Sequence, residues 1–293
     1  MRIKLPTAAA STALILITST LVAGMSGCAT RLESKPLAEA LSQGVRLERS
    51  FPKSLPSKAA KAPHSQFVLI RSESAIGLLS PVPFVADVVQ GAANDKAAER
   101  YESQYGRIDP YRIVADALQG SPVLAKGTGG MPLQPFAIVQ ECVDDRYRIA
   151  LVAHLEAGKQ VGRYFIHLRD TFTPDEITKP TPAVLDRMQS DLQAAAVQLR
   201  GLIERAARNE LLPNGTRADV GSLHLIGGRA AGLVSPTLLS AKDAALVEEG
   251  PEHIIVRIDG AVSQPASTGG LLFGVHLLRK DQLHKFEKRP AAS

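Results

Sequence analysis

Arg146, Arg148, His154, Arg163, His167 and Arg169 lie on two alternating runs that flank Gly158-Lys159. Side chains two apart on a strand share one face of the sheet. Guanidinium and imidazole groups gathered on such a face can hold a carboxylate, a phosphate or an acidic partner. The same spacing also describes a solvated or internally ion-paired surface, because exposed charges contribute little by themselves. This face is the candidate anion or partner surface, and both readings stay open on the sequence alone.

Other chemistries find less support. The glycine-rich stretch from Gly120 to Gly130 fails as a phosphate loop, because Lys126 is followed by Gly127 where a hydroxyl is needed. Gly227-Gly228-Arg229 lacks the glycine spacing of a dinucleotide fingerprint. No Gly-x-Ser-x-Gly elbow or His-Glu-x-x-His helix occurs. The seven histidines show no ligand spacing. No catalytic residue, metal or cofactor is therefore assigned. A hydrolase assembled from residues distant in sequence remains the third-ranked reading.

The elements that position the basic face are clearest around the turn. Glycine first in a two-residue turn signals a type II′ hairpin over about residues 146–170. Pairing outward sets Ala157 against Gln160 and puts Tyr147, Ile149, Leu151, Ala153, Leu155, Tyr164, Ile166 and Leu168 on one apolar face. In that register Arg148 faces Arg169, a like-charge pair that disfavours the ladder. Thr181-Pro182 opens a long amphipathic helix over about 182–208, with Leu185, Met188, Leu192, Ala195, Leu199, Leu202 and Ala206 on one stripe. A helix laid across a sheet explains the stripe, with a coiled coil as the alternative.

Elsewhere Phe67–Ile70 suits a buried strand, a helix is expected over about 83–104, and Asp109-Pro110 starts another through Leu118. Ser240 with Asp243 suggests a capped helix through Glu249. The fold class expected is α+β, with a mixed or mostly antiparallel sheet. The folded domain is expected over residues 66–293, with a division into two subdomains near 213–220.

Composition is that of a globular protein, 45% hydrophobic and 22% charged. The N-terminus is different: Arg2 and Lys4 precede an apolar run from about Ala8 to Ala23, which closes on Met25-Ser26-Gly27-Cys28. The run is interrupted by Thr12, Thr18, Ser19 and Thr20 and falls short of the ~20 apolar residues of a membrane span, so it reads as a secretory signal. Removing residues 1–27 takes two bases and no acid, which lowers the formal net charge from +5 to +3. That mild charge gives no reason to expect nucleic acid.

Ser26, Gly27 and Cys28 resemble a bacterial lipoprotein signal, with Met25 where leucine is usual. The resemblance covers only this segment. It implies cleavage before Cys28, acylation of its thiol, and, with Ala29 following rather than aspartate, the periplasmic leaflet of the outer membrane. Residues 28–65 hold Pro, Ser and seven Lys or Arg against three Glu, and read as a lipidated N-terminus and flexible linker. Cys142 is then the remaining cysteine, with no intramolecular partner for a disulfide. A small buried thiol and a reactive one are both compatible with it. The function expected is a non-enzymatic, lipid-anchored module that binds or scaffolds an envelope component. The alternative is a periplasmic receptor for a small molecule or anion, using the basic hairpin face.

Overall fold

The computed structural model describes residues 31–55, 59–62, 64–70, 99, 102–127, 129–141, 146–223, 239–241, 243–263, 273–283 and 285–290. Met25, Ser26, Gly27 and Cys28, most of the helix expected over 83–104, Cys142 and the Gly227-Gly228 run lie outside them. The chain divides into residues 1–30 and Arg31–Ser293. The second unit is mixed α/β, with few helices and one large, mostly antiparallel open sheet.

In chain order its strands are β1 (Arg31–Ser34), β2 (Val45–Leu47), β3 (Ala59–Ala62), β4 (Phe67–Ile70), β5 (Met131–Glu141), β6 (Tyr147–Ala157) and β7 (Gln160–Phe172). They continue with β8 (Thr216–Asp219), β9 (Ser222–Leu223), β10 (Leu239–Ser240), β11 (Ala244–Glu249), β12 (His253–Ile258), β13 (Ala261–Ser263), β14 (Gly274–Arg279) and β15 (Glu287–Pro290). Among the described residues the sheet has 13 strands and runs β15-β8-β11-β12-β14-β7-β6-β5-β4-β3, with β1 between β13 and the start of β7, and β2 beside β5. Strands β9 and β10 pair separately. Pairings of β7 with β1 and β14, and of β5 with β2 and β4, are parallel.

Helices are α1 (Ala38–Ser42), α2 (Pro110–Leu118), α3 (Pro174–Thr178) and α4 (Pro182–Ala207). The Thr181 hydroxyl accepts from Val184 N at 3.3 Å and Pro182 occupies the first turn, so α4 starts with its orphan amides partly satisfied. It ends where Asn209 takes φ 59°. Its buried side chains, among them Leu185, Met188, Leu192, Leu199 and Ile203, join one core with Ile149, Leu151, Leu155, Tyr164, Ile166 and Leu168 of the hairpin.

The hairpin turn has Gly158 at φ 59°, and Ala157 pairs with Gln160. The mirror register holds as far as Ala150 opposite His167. A bulge between Arg148 and Ala150 then moves Arg148 opposite Thr171, not Arg169. The two extra residues on β7 thereby remove the like-charge opposition that an unbroken ladder would impose.

Residues 31–62 are not a linker. They contribute β1, α1, β2 and β3 to the fold, and Leu32, Leu37, Leu41, Val45 and Leu55 are all buried. Their basic and proline-rich composition masks apolar residues that each belong to an element too short to show a period. Gly162 leaves room for Leu37: a Cβ there would crowd Leu155 Cδ2 at 3.1 Å and Leu37 Cδ1 at 3.2 Å. Residues 244–249 form β11, not a helix, because β8 and β12 offer ladder partners on both sides. Gly250 N donates to His253 O at 2.8 Å and closes a hairpin where a helix stop was expected. The stretch 213–220 runs into β8 of the same sheet, so no subdomain boundary falls there.

Candidate functional site

The basic hairpin residues do not form one open surface. Arg163 and His154 are 1% and 0% exposed, and His167 is buried as well. The face that carries them packs Ala150, Val152 and Phe165 into a second core with Phe136, Ile138, Val68 and Leu55. Arg146 turns to Thr171, donating to its Oγ1 at 3.0 Å and its carbonyl at 2.9 Å. Arg148 donates to Gln282 O at 3.4 Å.

Burying a guanidinium demands partners, and the sequence supplies them from distant places. Arg163 Nε donates to His154 Nδ1 at 3.0 Å, and its Nη2 to Ser54 Oγ at 3.2 Å. Because arginine only donates, Nδ1 must accept, which places the imidazole proton on Nε2. Nε2 lies 3.0 Å from Glu156 Oε1. Burial pulls the Arg163 guanidinium down to about 10 and the His154 imidazole down to about 4, the latter against the hydrogen bond that Glu156 accepts from it. The His154 bond in turn holds the Glu156 carboxyl below its ordinary range.

Ser54, His154 and Glu156 superficially suggest a hydrolase. In a catalytic triad serine and acid occupy opposite nitrogens of the imidazole. Here Ser54 Oγ, at 3.5 Å, and Glu156 both approach Nε2, while Nδ1 is taken by Arg163. Ser54 is fully buried. The network neutralises a buried charge and exposes no nucleophile.

A second buried pair joins β7 to β14. His167 Nε2 and His276 Nδ1 are 3.1 Å apart, and Phe165 stacks on His276 with ring centroids 4.2 Å apart and planes 2° from parallel. Burial, then the charges of His276 and Arg148, hold the His167 imidazole well below its ordinary value.

An accessible site does exist at the far end of β7. A cleft of about 690 Å³ opens between α4 and strands β7, β12 and β14. Its size is that of sites for small molecules. Leu168, Ile255 and Leu277 supply an apolar floor, and Ala195 and Leu202 the facing wall. Register explains the floor: Leu277 is paired with Ile166 and with Ile255, so these side chains share the face that α4 covers.

The rim is charged, with Arg169, Arg205, Arg279 and His253 against Asp191 and Glu252. Arg205 bonds Glu248 at 2.6 Å and Arg279 bonds Asp281 at 2.7 Å, so both cations are already compensated. Arg169 is exposed, and among the described residues its guanidinium makes no hydrogen bond or ion pair. Asp191 Oδ2 accepts from Asp170 N at 3.1 Å; burial, then the charge of Asp170, raises its carboxyl. Among the described residues no group of three His, Cys, Asp or Glu is arranged for a metal ion.

Neither the protein-family models, nor the curated proteins, nor the solved structures compared with this chain match it. The site therefore stands on its own geometry. Of the basic residues singled out by spacing, Arg169 and His167 reach the cleft, and Arg146, Arg148, His154 and Arg163 do not line it. Arg205, Arg279 and His253 were not singled out, since each comes from an element whose neighbours only the sheet order reveals. Gly201, set among good helix formers on the α4 wall, is the one local signal: a Cβ there would meet nothing within 4 Å.

Proposed function

We propose that this chain is an exported bacterial envelope protein, anchored by acylation of Cys28, whose domain is a non-enzymatic binding module. The periplasmic leaflet of the outer membrane is its place. The cleft beneath α4, read as an amphipathic helix packed on the hairpin, takes a small amphipathic anion: a carboxylate or phosphate head at Arg169 and a short apolar body against Leu168, Ile255 and Leu277. The observation that carries this reading is an exposed guanidinium on the rim of an apolar-floored cleft, with Asp191 and Asp281 near it but no direct hydrogen bond to either. A cation with hydrogen-bonding capacity to spare beside buried apolar surface favours a ligand with both features.

Octanoate and octyl phosphate are suitable probes. A ligand at one hundred times its Kd stabilises the folded state by about 2.7 kcal/mol, which thermal unfolding resolves. Arg169→Ala is expected to weaken binding by about tenfold or more, because a hydrogen bond to a charged group contributes roughly 1.5–3 kcal/mol. Gly201→Leu, at a cleft-lining position where an added Cβ meets nothing within 4 Å, is expected to abolish the shift while leaving the unliganded protein at least as stable. An equal shift in both variants would remove the cleft from the account. A flat response to both probes would favour the second reading, a protein partner of the envelope, for which the outer face of α4 offers Val197 at 66% exposure.

A further inference from the structure

We propose that the end of the sheet carrying the Gly158-Lys159 turn rests against the lipid leaflet, and that the cleft is thereby held on the side facing away from it. This rests on the acylation of Cys28 just proposed. Only Ala29 and Thr30 separate that cysteine from Arg31, the first residue of β1. Three residue steps of fully extended chain reach at most about 11 Å.

The register of β1 then decides which surface lies within that reach. β1 runs parallel to β7 with Glu33 opposite Gln160, so Arg31 lies level with the hairpin turn. Glu33 N donates to Lys159 O at 2.8 Å, and Lys35 N to Val161 O at 2.9 Å. On its other side β1 pairs with β13, Arg31 opposite Ser263. Leu32 is 3% exposed. The strand is thus bonded on both edges, with Leu32 and Ser34 buried, and more tether can be released only by breaking these contacts.

The surface so placed suits a phospholipid leaflet. Lys159 is exposed at the tip of the turn; Lys35 beside it is exposed too, but its charge is offset by an ion pair with Glu33 at 3.2 Å. Lysines near an anionic surface each contribute about 1 kcal/mol. Arg169 lies nine residues beyond Gln160 on the same strand, roughly 30 Å away at about 3.3 Å per residue. Arg279 and His253 are paired with each other and lie at that same far end. A tether of two residues, where composition suggests more than thirty, turns a mobile receptor into one of fixed orientation.

The test uses the full acylated protein in vesicles of phosphatidylethanolamine and phosphatidylglycerol that contain a spin-labelled lipid as quencher. A fluorophore is attached through Lys159→Cys or Glu252→Cys, each in a Cys142→Ser background. Acylation blocks the Cys28 thiol. Strong quenching at 159 and none at 252 is expected. Insertion of about twelve Gly and Ser residues between Thr30 and Arg31, a coil spanning roughly 20 Å, is expected to abolish the quenching at 159. Equal quenching at both positions, or quenching at 159 that survives the insertion, would overturn the orientation in a protein whose mass shows the acyl chains. A mass without acyl chains would overturn the anchor itself, and the orientation with it.

Discussion

Arg163→Ala is expected to lower the free energy of unfolding by about 3–5 kcal/mol, the usual cost of removing one partner from a buried charge network. That is a large fraction of the roughly 5–15 kcal/mol that holds a domain together. Three losses combine. Glu156, half-buried, loses the cation that offsets its charge. His154 Nδ1 is left as a buried acceptor without its donor, and Ser54 loses the guanidinium that donates to its hydroxyl. The volume of a large side chain, 1% exposed, is emptied as well. Charge and volume are separable. Arg163→Met retains most of the volume and removes the cation, and combining it with Glu156→Gln removes both charges. The double variant is expected to be more stable than the sum of the single losses, by a coupling of about 1–3 kcal/mol. Urea unfolding supplies the numbers. A loss below about 1 kcal/mol for Arg163→Ala, in the range of surface changes, would contradict the burial of this network.

Acidification is expected to destabilise the domain steeply between pH 6.5 and pH 4. His154 is held at about 4 in the folded chain against an unfolded value of 6.5, chiefly by burial. The unfolded state therefore binds the proton first. Stability rises with pH wherever the unfolded state holds more protons, so this contribution is complete above about pH 6.5 and is lost as pH falls toward 4. Each such histidine sets a slope of about 1.4 kcal/mol per pH unit. His167 is displaced in the same direction and adds a second slope of the same sign. From pH 6.5 to pH 5 His154 alone removes roughly 1.5–2 kcal/mol, a few degrees in Tm for a domain of this size, and His167 adds a loss of the same sign. Glu156, whose carboxyl is lowered, extends the loss below its unfolded value of 4.5. Thermal unfolding from pH 7.5 to pH 4.5 checks this, with His167→Asn expected to flatten part of the slope. A Tm unchanged from pH 7.5 to pH 5 would contradict the neutral, buried state of both imidazoles.

The hairpin shows how far the sequence reaches. Its turn and its register from Ala150 to His167 follow from Gly158 and the mirrored apolar residues, because a one-residue slip would expose the whole set. The bulge at Arg148 has no such signature, since inserted residues are visible only against the partner strand. The polar face misleads for a related reason. Alternating charge reads as solvent when the residues that bury it are about a hundred positions away: Ser54 and Leu55 on one side, His276 on the other. Residues 31–62 are hidden differently. Elements of three to five residues carry too few apolar positions to establish a period, and proline and lysine dominate the composition. The cleft inherits both difficulties. Arg169 is legible as a basic strand residue, but that it alone among the rim arginines makes no direct bond to a carboxylate depends on Glu248 and Asp281 meeting Arg205 and Arg279.

The anchor is the premise on which location and orientation both depend, and it is measured directly by membrane fractionation with intact mass of the mature protein. The wild type expressed in a bacterial host is expected in the membrane fraction, beginning at Cys28 and carrying diacylglycerol and a further acyl chain. Cys28→Ala is expected to lose the acyl mass, with any folded product released in soluble form or left attached by an uncleaved signal. A wild-type protein recovered soluble in the periplasm, with an unmodified N-terminus, would contradict the anchored account.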